Sequence, residues 1–188
     1  MHHRPPPPLS YGPLSLQPLT PPRRARVVAA LNLLRRHAPW ALADVFRELV
    51  GVSFLADACD GGVACTGGRF QRWAILAKDP VKDTIIEIAL SLYHESLHHG
   101  RDRWGEPVLI QHFYAGAPPD SDLWHALYES DPIVQAEQEL RAQLVTSIEA
   151  ERQRAHEFAL AQQAGRRART VWELLRDALD PNGTPFGP

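Results

Sequence analysis

A chain of 188 residues that is 44% hydrophobic is long enough for one domain with a real core. Its 20 basic residues against 22 acidic ones give no overall pull toward nucleic acid or an anionic membrane surface. No apolar run approaches the roughly 18 to 20 residues a membrane helix requires, the best being the short Val27 to Leu34 closed by Arg35-Arg36-His37, so a cytoplasmic protein is expected.

The first 22 residues hold eight prolines, Pro5 to Pro8 among them, and are expected to form a disordered or extended leader, residues 1–22. Thr20 can then cap a helix with Pro21 and Pro22 in its first turn, and Val27, Ala30, Leu31 and Leu34 form its apolar stripe. Pro39 ends it. A second helix from about Trp40 to Leu49 shows Leu42, Val45, Phe46 and Leu49 on one side and stops near Gly51. The basic residues Arg23, Arg24, Arg26, Arg35 and Arg36, like Arg166, Arg167 and Arg169 near the other end, read as solvated helix faces rather than phosphate grips.

From Val52 the period changes. Val52 to Leu55 and Arg69 to Leu76 are short strand-like runs separated by glycine-rich turns, predicting a small antiparallel sheet. Cys59 and Cys65 flank Asp60-Gly61-Gly62 and could face each other across a hairpin, but with no signal peptide two free thiols are expected.

The next segment carries the chemistry. Asp83 is a candidate N-cap, and residues 85, 88, 89 and 92 are apolar at the spacing of one buried helical face. His94-Glu95-Ser96-Leu97-His98 therefore lies on a helix, which Gly100 is expected to stop. Histidines four apart project from one side, one turn apart, so both imidazoles can reach a single divalent metal. Glu95 is poorly placed to join them as a ligand but well placed to take a proton from a water activated there. That is the arrangement of a zinc hydrolase. His99 reads as a cation favoured at a helix C-terminus.

A further strand is expected through Val108 to Tyr114, which could offer an edge to an extended peptide. A short helix follows around Leu123 to Tyr128. Asp131-Pro132 opens the longest helix, expected to run to about Ala164, with a last amphipathic stretch at Val171 to Leu175 before a flexible tail, residues 181–188. The whole reads as α+β: a mostly helical single domain, residues 23–180, with the sheet packed on the metal-binding helix.

A catalytic zinc usually has three protein ligands, so a third must come from outside the motif. A metzincin would carry glycine and then histidine where this chain has Arg101 and Trp104, which excludes that class. Glu137 and Glu139, near the start of the long helix, are the better candidates, although Glu137 and Arg141 could also form an ordinary surface ion pair. Asp102, Asp120, Asp122, His112 and Glu149 are further possible ligands, and His112, Tyr114, His125 and Tyr128 possible donors to an oxyanion.

With the two-histidine motif on one helix, a Glu-x-Glu element on a later one and a strand-rich segment leading in, the chain resembles the gluzincin metallopeptidases. Over about residues 52 to 145 it looks most like the ImmA/IrrE-type peptidases, departing at Leu140, where alanine is usual, and in a longer gap between the two helices. The resemblance implies a Zn2+ held by His94, His98 and Glu137, with Glu95 as general base and Glu139 as a partner behind the ligands or a residue that orients a histidine. It also implies a regulatory protease whose protein substrate is a transcriptional repressor. The alternative expectation is a zinc-binding regulatory or interaction protein without turnover.

Overall fold

Pro21 and Pro22 start the first helix where expected: α1 spans Pro21–His37, and Thr20 occupies the N-cap position without a side-chain capping hydrogen bond. The structure, a computed structural model, describes residues 8–56, 58–59, 64–67, 70–99 and 121–179. Val27, Ala30, Leu31 and Leu34 are all buried on α1, and Arg35, Arg36 and His37 complement the dipole in its last turn. Pro39 opens α2, Pro39–Glu48, which buries Ala41, Leu42 and Val45.

Much of the expected leader is structured. Ser10–Tyr11 (β1) and Leu14–Ser15 (β2) form a hairpin, and Leu14, Leu16 and Leu19 are core residues with at most 2% exposure. These three leucines, spaced among the prolines, supply enough apolar surface to hold the segment down, a contribution that composition alone hides. Gly12 takes φ +56° at the turn, against the Phe46 ring, where a side chain would meet both strain and contact. Residues 1–7 lie outside the described residues.

The sheet adds β3 (Gly51–Phe54), β4 (Ala64–Gly67) and β5 (Phe70–Leu76), in the order β1-β2-β3-β5-β4. It is mixed, not antiparallel as expected: β3 runs parallel to both β2 and β5, while β1–β2 and β4–β5 are antiparallel. A hydrophobic pattern marks a strand but not the direction of its neighbour, and β4 takes the edge while β5 inserts beside β3. Ala74, Ile75 and Leu76 are accordingly buried in succession. Gly51 lies opposite Trp73, and a Cβ there would come within 2.5 Å of the indole ring. Cys59 and Cys65 are joined in a disulfide rather than free, their Cα atoms 5.6 Å apart and so within bridging range.

Helix α3, Ile85–Leu97, packs on α1, α2, β4 and β5. Its N-cap is Thr84, whose hydroxyl accepts the Glu87 N–H at 3.1 Å. Asp83, the expected cap, is one residue earlier: its carboxylate accepts the Thr84 N–H and the Lys78 ammonium, both at 2.9 Å. Arg23 grips Asp79 through two hydrogen bonds of 3.0 and 3.1 Å, Arg26 donates to the Pro80 and Asp83 carbonyls, and Arg24 donates to the Leu19 carbonyl. These arginines are not a solvated face. Arg23 and Arg26 clamp the loop before α3 to α1, and Arg24 ties α1 to the segment that leads into it.

Helix α4 spans Asp122–Ser130 and α5 spans Pro132–Leu179. Asp131 opens α5 by accepting the Ile133 N–H at 2.8 Å. The helix continues through Gly165 to Leu179 instead of stopping near Ala164, since one interior glycine costs only about 1 kcal/mol against flanks rich in Ala, Leu and Arg. Close contacts divide the chain into two units, Met1–Val145 and Thr146–Pro188. The first is α+β and holds every core residue among the described ones; the described part of the second is helix, with every side chain from Arg152 to Glu173 exposed. The expected Val108 to Tyr114 strand, the stop at Gly100 and the tail at 181–188 lie outside the described residues. No helix of the described residues is long and apolar enough to cross a membrane.

Candidate metal centre

The floor of the site is the last turn and a half of α3. Tyr93 is fully buried with its ring edge-on to Trp40 at 5.5 Å, and Ser96, also buried, donates its hydroxyl to the Tyr93 carbonyl at 2.6 Å. With those side chains turned inward, helical geometry sends His94 and His98 out together on the next face. Their rings stand 5.0 Å apart, tilted by 66°, and His98 ends the helix still in right-handed conformation, φ −62° and ψ −20°. One ligand atom from each of His94, Glu95 and His98 lies within 4.8 Å of the others. The cluster can hold a metal ion.

Glu95 is the unusual member. It is only 3% exposed, and its Oε2 is buried with no hydrogen-bond partner among the described residues. Burial pushes its pKa up to about 7, opposed by the nearby His94 and reinforced by the charge of Glu137. A buried, unsatisfied carboxylate oxygen is costly unless something is meant to meet it. A cation, or a water held beside one, would satisfy it, so the residues present fit a bound metal.

Glu137 arrives from the second turn of α5, and its Oε2 lies 2.9 Å from Nδ1 of His94. Burial is the largest single influence on His94 and lowers its pKa. The Glu137 hydrogen bond and the charges of Glu95, Glu137 and Asp131 together outweigh it, and the pKa stands above the ordinary value. Behind Glu137, Arg141 places Nη2 3.4 Å from Oε1, so the i,i+4 ion pair expected from spacing forms as well. Arg141 also forks onto Glu87 of α3, Nη1–Oε1 2.5 Å and Nη2–Oε2 2.9 Å.

The structure therefore brings His94, Glu95 and His98 together as one cluster, and Glu137 joins it through its contact with His94. Glu139 and Asp122 are exposed, as are His125 and Glu149, the last in the second unit. Tyr128 is partly buried; burial first, and then the Glu137 charge, raise its pKa. His99 stays out of the cluster, and burial lowers its pKa, with the charges of Glu48 and Arg72 in range, so its imidazole is less cationic than its place at a helix end suggested. Asp102, His112, Tyr114 and Asp120 lie outside the described residues. Glu87 and Arg141 are the residues that sequence reasoning missed as part of the site. Their signal was spacing: Glu87 is two turns before His94 on the same face, and Arg141 one turn after Glu137.

No family model, curated protein or solved structure matches the chain.

Proposed function

We propose that this chain is a zinc-dependent metallopeptidase in which Glu95 is the general base. The observation that carries the reading is the buried Oε2 of Glu95, without a hydrogen-bond partner among the described residues, beside two converging imidazoles. His94 and His98 would hold the metal. A divalent cation there would supply Lewis acidity, acidifying a water and polarising the scissile carbonyl. Zinc is the cation that suits two imidazoles and a carboxylate-rich surround.

Glu95 takes a proton from the attacking water at Oε2 as the water oxygen bonds to the carbonyl carbon. It then hands that proton to the amine nitrogen as the C–N bond breaks. A carboxyl with its pKa near 7 can do both near neutral pH, accepting when ionised and donating when protonated. Glu137 acts on the site through His94: its contact to Nδ1 leaves Nε2 as the imidazole atom for the metal. While it holds His94, Glu137 orients that ring; to serve as the third ligand that a catalytic zinc usually has, the role implied by resemblance, it would have to leave this contact. A peptide or protein is the substrate class, and a transcriptional repressor is the candidate that resemblance supplies. The Cys59–Cys65 disulfide counts against the reducing cytoplasm expected from the sequence.

The test pairs metal content with turnover. Zinc-loaded protein is incubated with a peptide library, and cleavage is read by mass spectrometry beside elemental analysis. Wild type should carry one zinc and cut, Glu95→Gln should keep the zinc and lose cutting by at least about a hundredfold, and His98→Ala should lose the zinc. Glu137→Ala should bind zinc about ten- to hundredfold more weakly, where complete loss would restore the ligand role. Undiminished cutting by Glu95→Gln would overturn the reading.

A further inference from the structure

The residues around His94 form one continuous chain of charged contacts that begins and ends on α3. Glu87 meets Arg141 through two hydrogen bonds, Arg141 meets Glu137, and Glu137 meets Nδ1 of His94. Glu87 and His94 are separated by two helical turns, so the loop from α3 to α5 and back spans the face on which the imidazole stands. A bidentate guanidinium–carboxylate fork fixes direction as well as distance, which a lone ammonium cannot do. Glu137 by itself has several rotatable bonds and could leave His94 for solvent. Arg141 removes much of that freedom by holding the other oxygen of the same carboxylate.

We propose that Arg141, anchored by Glu87, is a positioning residue for the metal centre: it sets the Glu137 carboxylate, which in turn fixes the ring of His94. This rests on the metal reading above for its effect on zinc, but the ring position can be read without metal. Charge alone makes the opposite forecast. A cation near a metal site repels the metal, so removing Arg141 should tighten binding if electrostatics dominate, and Lys should then behave like Arg.

Two measurements on the full chain separate these cases. The first follows the side-chain nitrogen and ring proton signals of His94 by NMR in metal-free wild type, Arg141→Ala, Arg141→Lys and Glu87→Gln. The second titrates each with zinc against a competing chelator. The expected result is a displaced or exchange-broadened His94 Nδ1 signal in all three variants, and zinc affinity about tenfold weaker in both Arg141 variants. Glu87→Gln should fall between them and wild type. The Arg141 side chain is 41% exposed, so its loss should leave the fold intact, and Glu87→Gln provides a milder second check. Unchanged His94 signals together with wild-type or tighter zinc binding in Arg141→Ala would overturn the proposal. If wild type takes up no zinc yet the His94 signals still move in the variants, the metallopeptidase reading fails and the positioning role stands.

Discussion

Helices α3 and α5 both bring residues to the candidate site, yet they are built in opposite ways. In α3, 13 residues long, eight are buried, because α1, α2, β4 and β5 cover it. In α5, 48 residues long, the fully buried residues are Ile133, Val134, Leu140 and Leu144, all in its first 13 positions, and side chains beyond Arg152 are exposed as far as Glu173. Local propensity alone extends a helix; burial is what changes the chemistry of a group on it. Hence α3 supplies a desolvated carboxylate whose pKa has moved to about 7, whereas α5 supplies Glu137 and Arg141 as charges still partly in contact with water. The site needs both: a low-dielectric floor to perturb Glu95, and a charged wall to orient what stands on that floor.

The largest effects should come from breaking the floor. Leu92 is fully buried at the centre of α3, and Leu92→Ala should lower stability by about 2–5 kcal/mol in urea unfolding, the usual range for a cavity in a well-packed core. A loss under about 1 kcal/mol would mean that α3 is far less tightly enclosed than its burial implies.

The second effect sharpens the same contrast through pH. In metal-stripped protein, Glu95 is protonated below about pH 4.5 in both folded and unfolded chains, so it contributes no penalty there. Between 4.5 and about 7 the unfolded chain ionises it and the folded chain does not, so stability falls as pH rises, by on the order of 3 kcal/mol in total, and then levels off. His94, whose folded pKa is raised, acts in the same direction above its ordinary value, losing its stabilising contribution as pH climbs through the folded pKa. Glu95→Gln should flatten the profile across pH 4.5 to 7.5, measured by urea unfolding at each pH. A slope in that variant equal to that of wild type would show that Glu95 is solvated after all.

How much of this could be read beforehand depends on range. The proline-led start of α1 at Pro21, the Asp131 cap before Pro132, the apolar stripe of α1 and the pairing of His94 with His98 are local, set by residues within a turn or two, and all appear as expected, except that the Thr20 hydroxyl makes no capping hydrogen bond. Strand direction is not local. Nothing within Val52 to Leu55 says that its partner on one side is Ile75 in parallel register, so the mixed sheet was not legible. The leucines at 14, 16 and 19 were hidden by the prolines around them, because polyproline composition describes the backbone and says little about what the intervening side chains bury. At the site, Glu137 was legible as a carboxylate that had to fold back. Its partner atom on His94 was not, nor was the arginine behind it, since side-chain contacts across 43 and 54 residues depend on how α5 settles against α3.

The smallest expected effect lies at the far end of the comparison. Phe158 and Trp172 are 66% and 71% exposed on α5, so replacing them removes little buried area. Alanine is also the better helix former by roughly half a kcal/mol per residue, which works against whatever contact is lost. Phe158→Ala and Trp172→Ala, alone or combined, should therefore shift stability and helicity by no more than about 0.5 kcal/mol each, read by circular dichroism during thermal unfolding. A loss above about 1 kcal/mol that grows with protein concentration would mean that this face is covered in solution by a second copy, because only burial by a partner makes so exposed an aromatic matter to that extent.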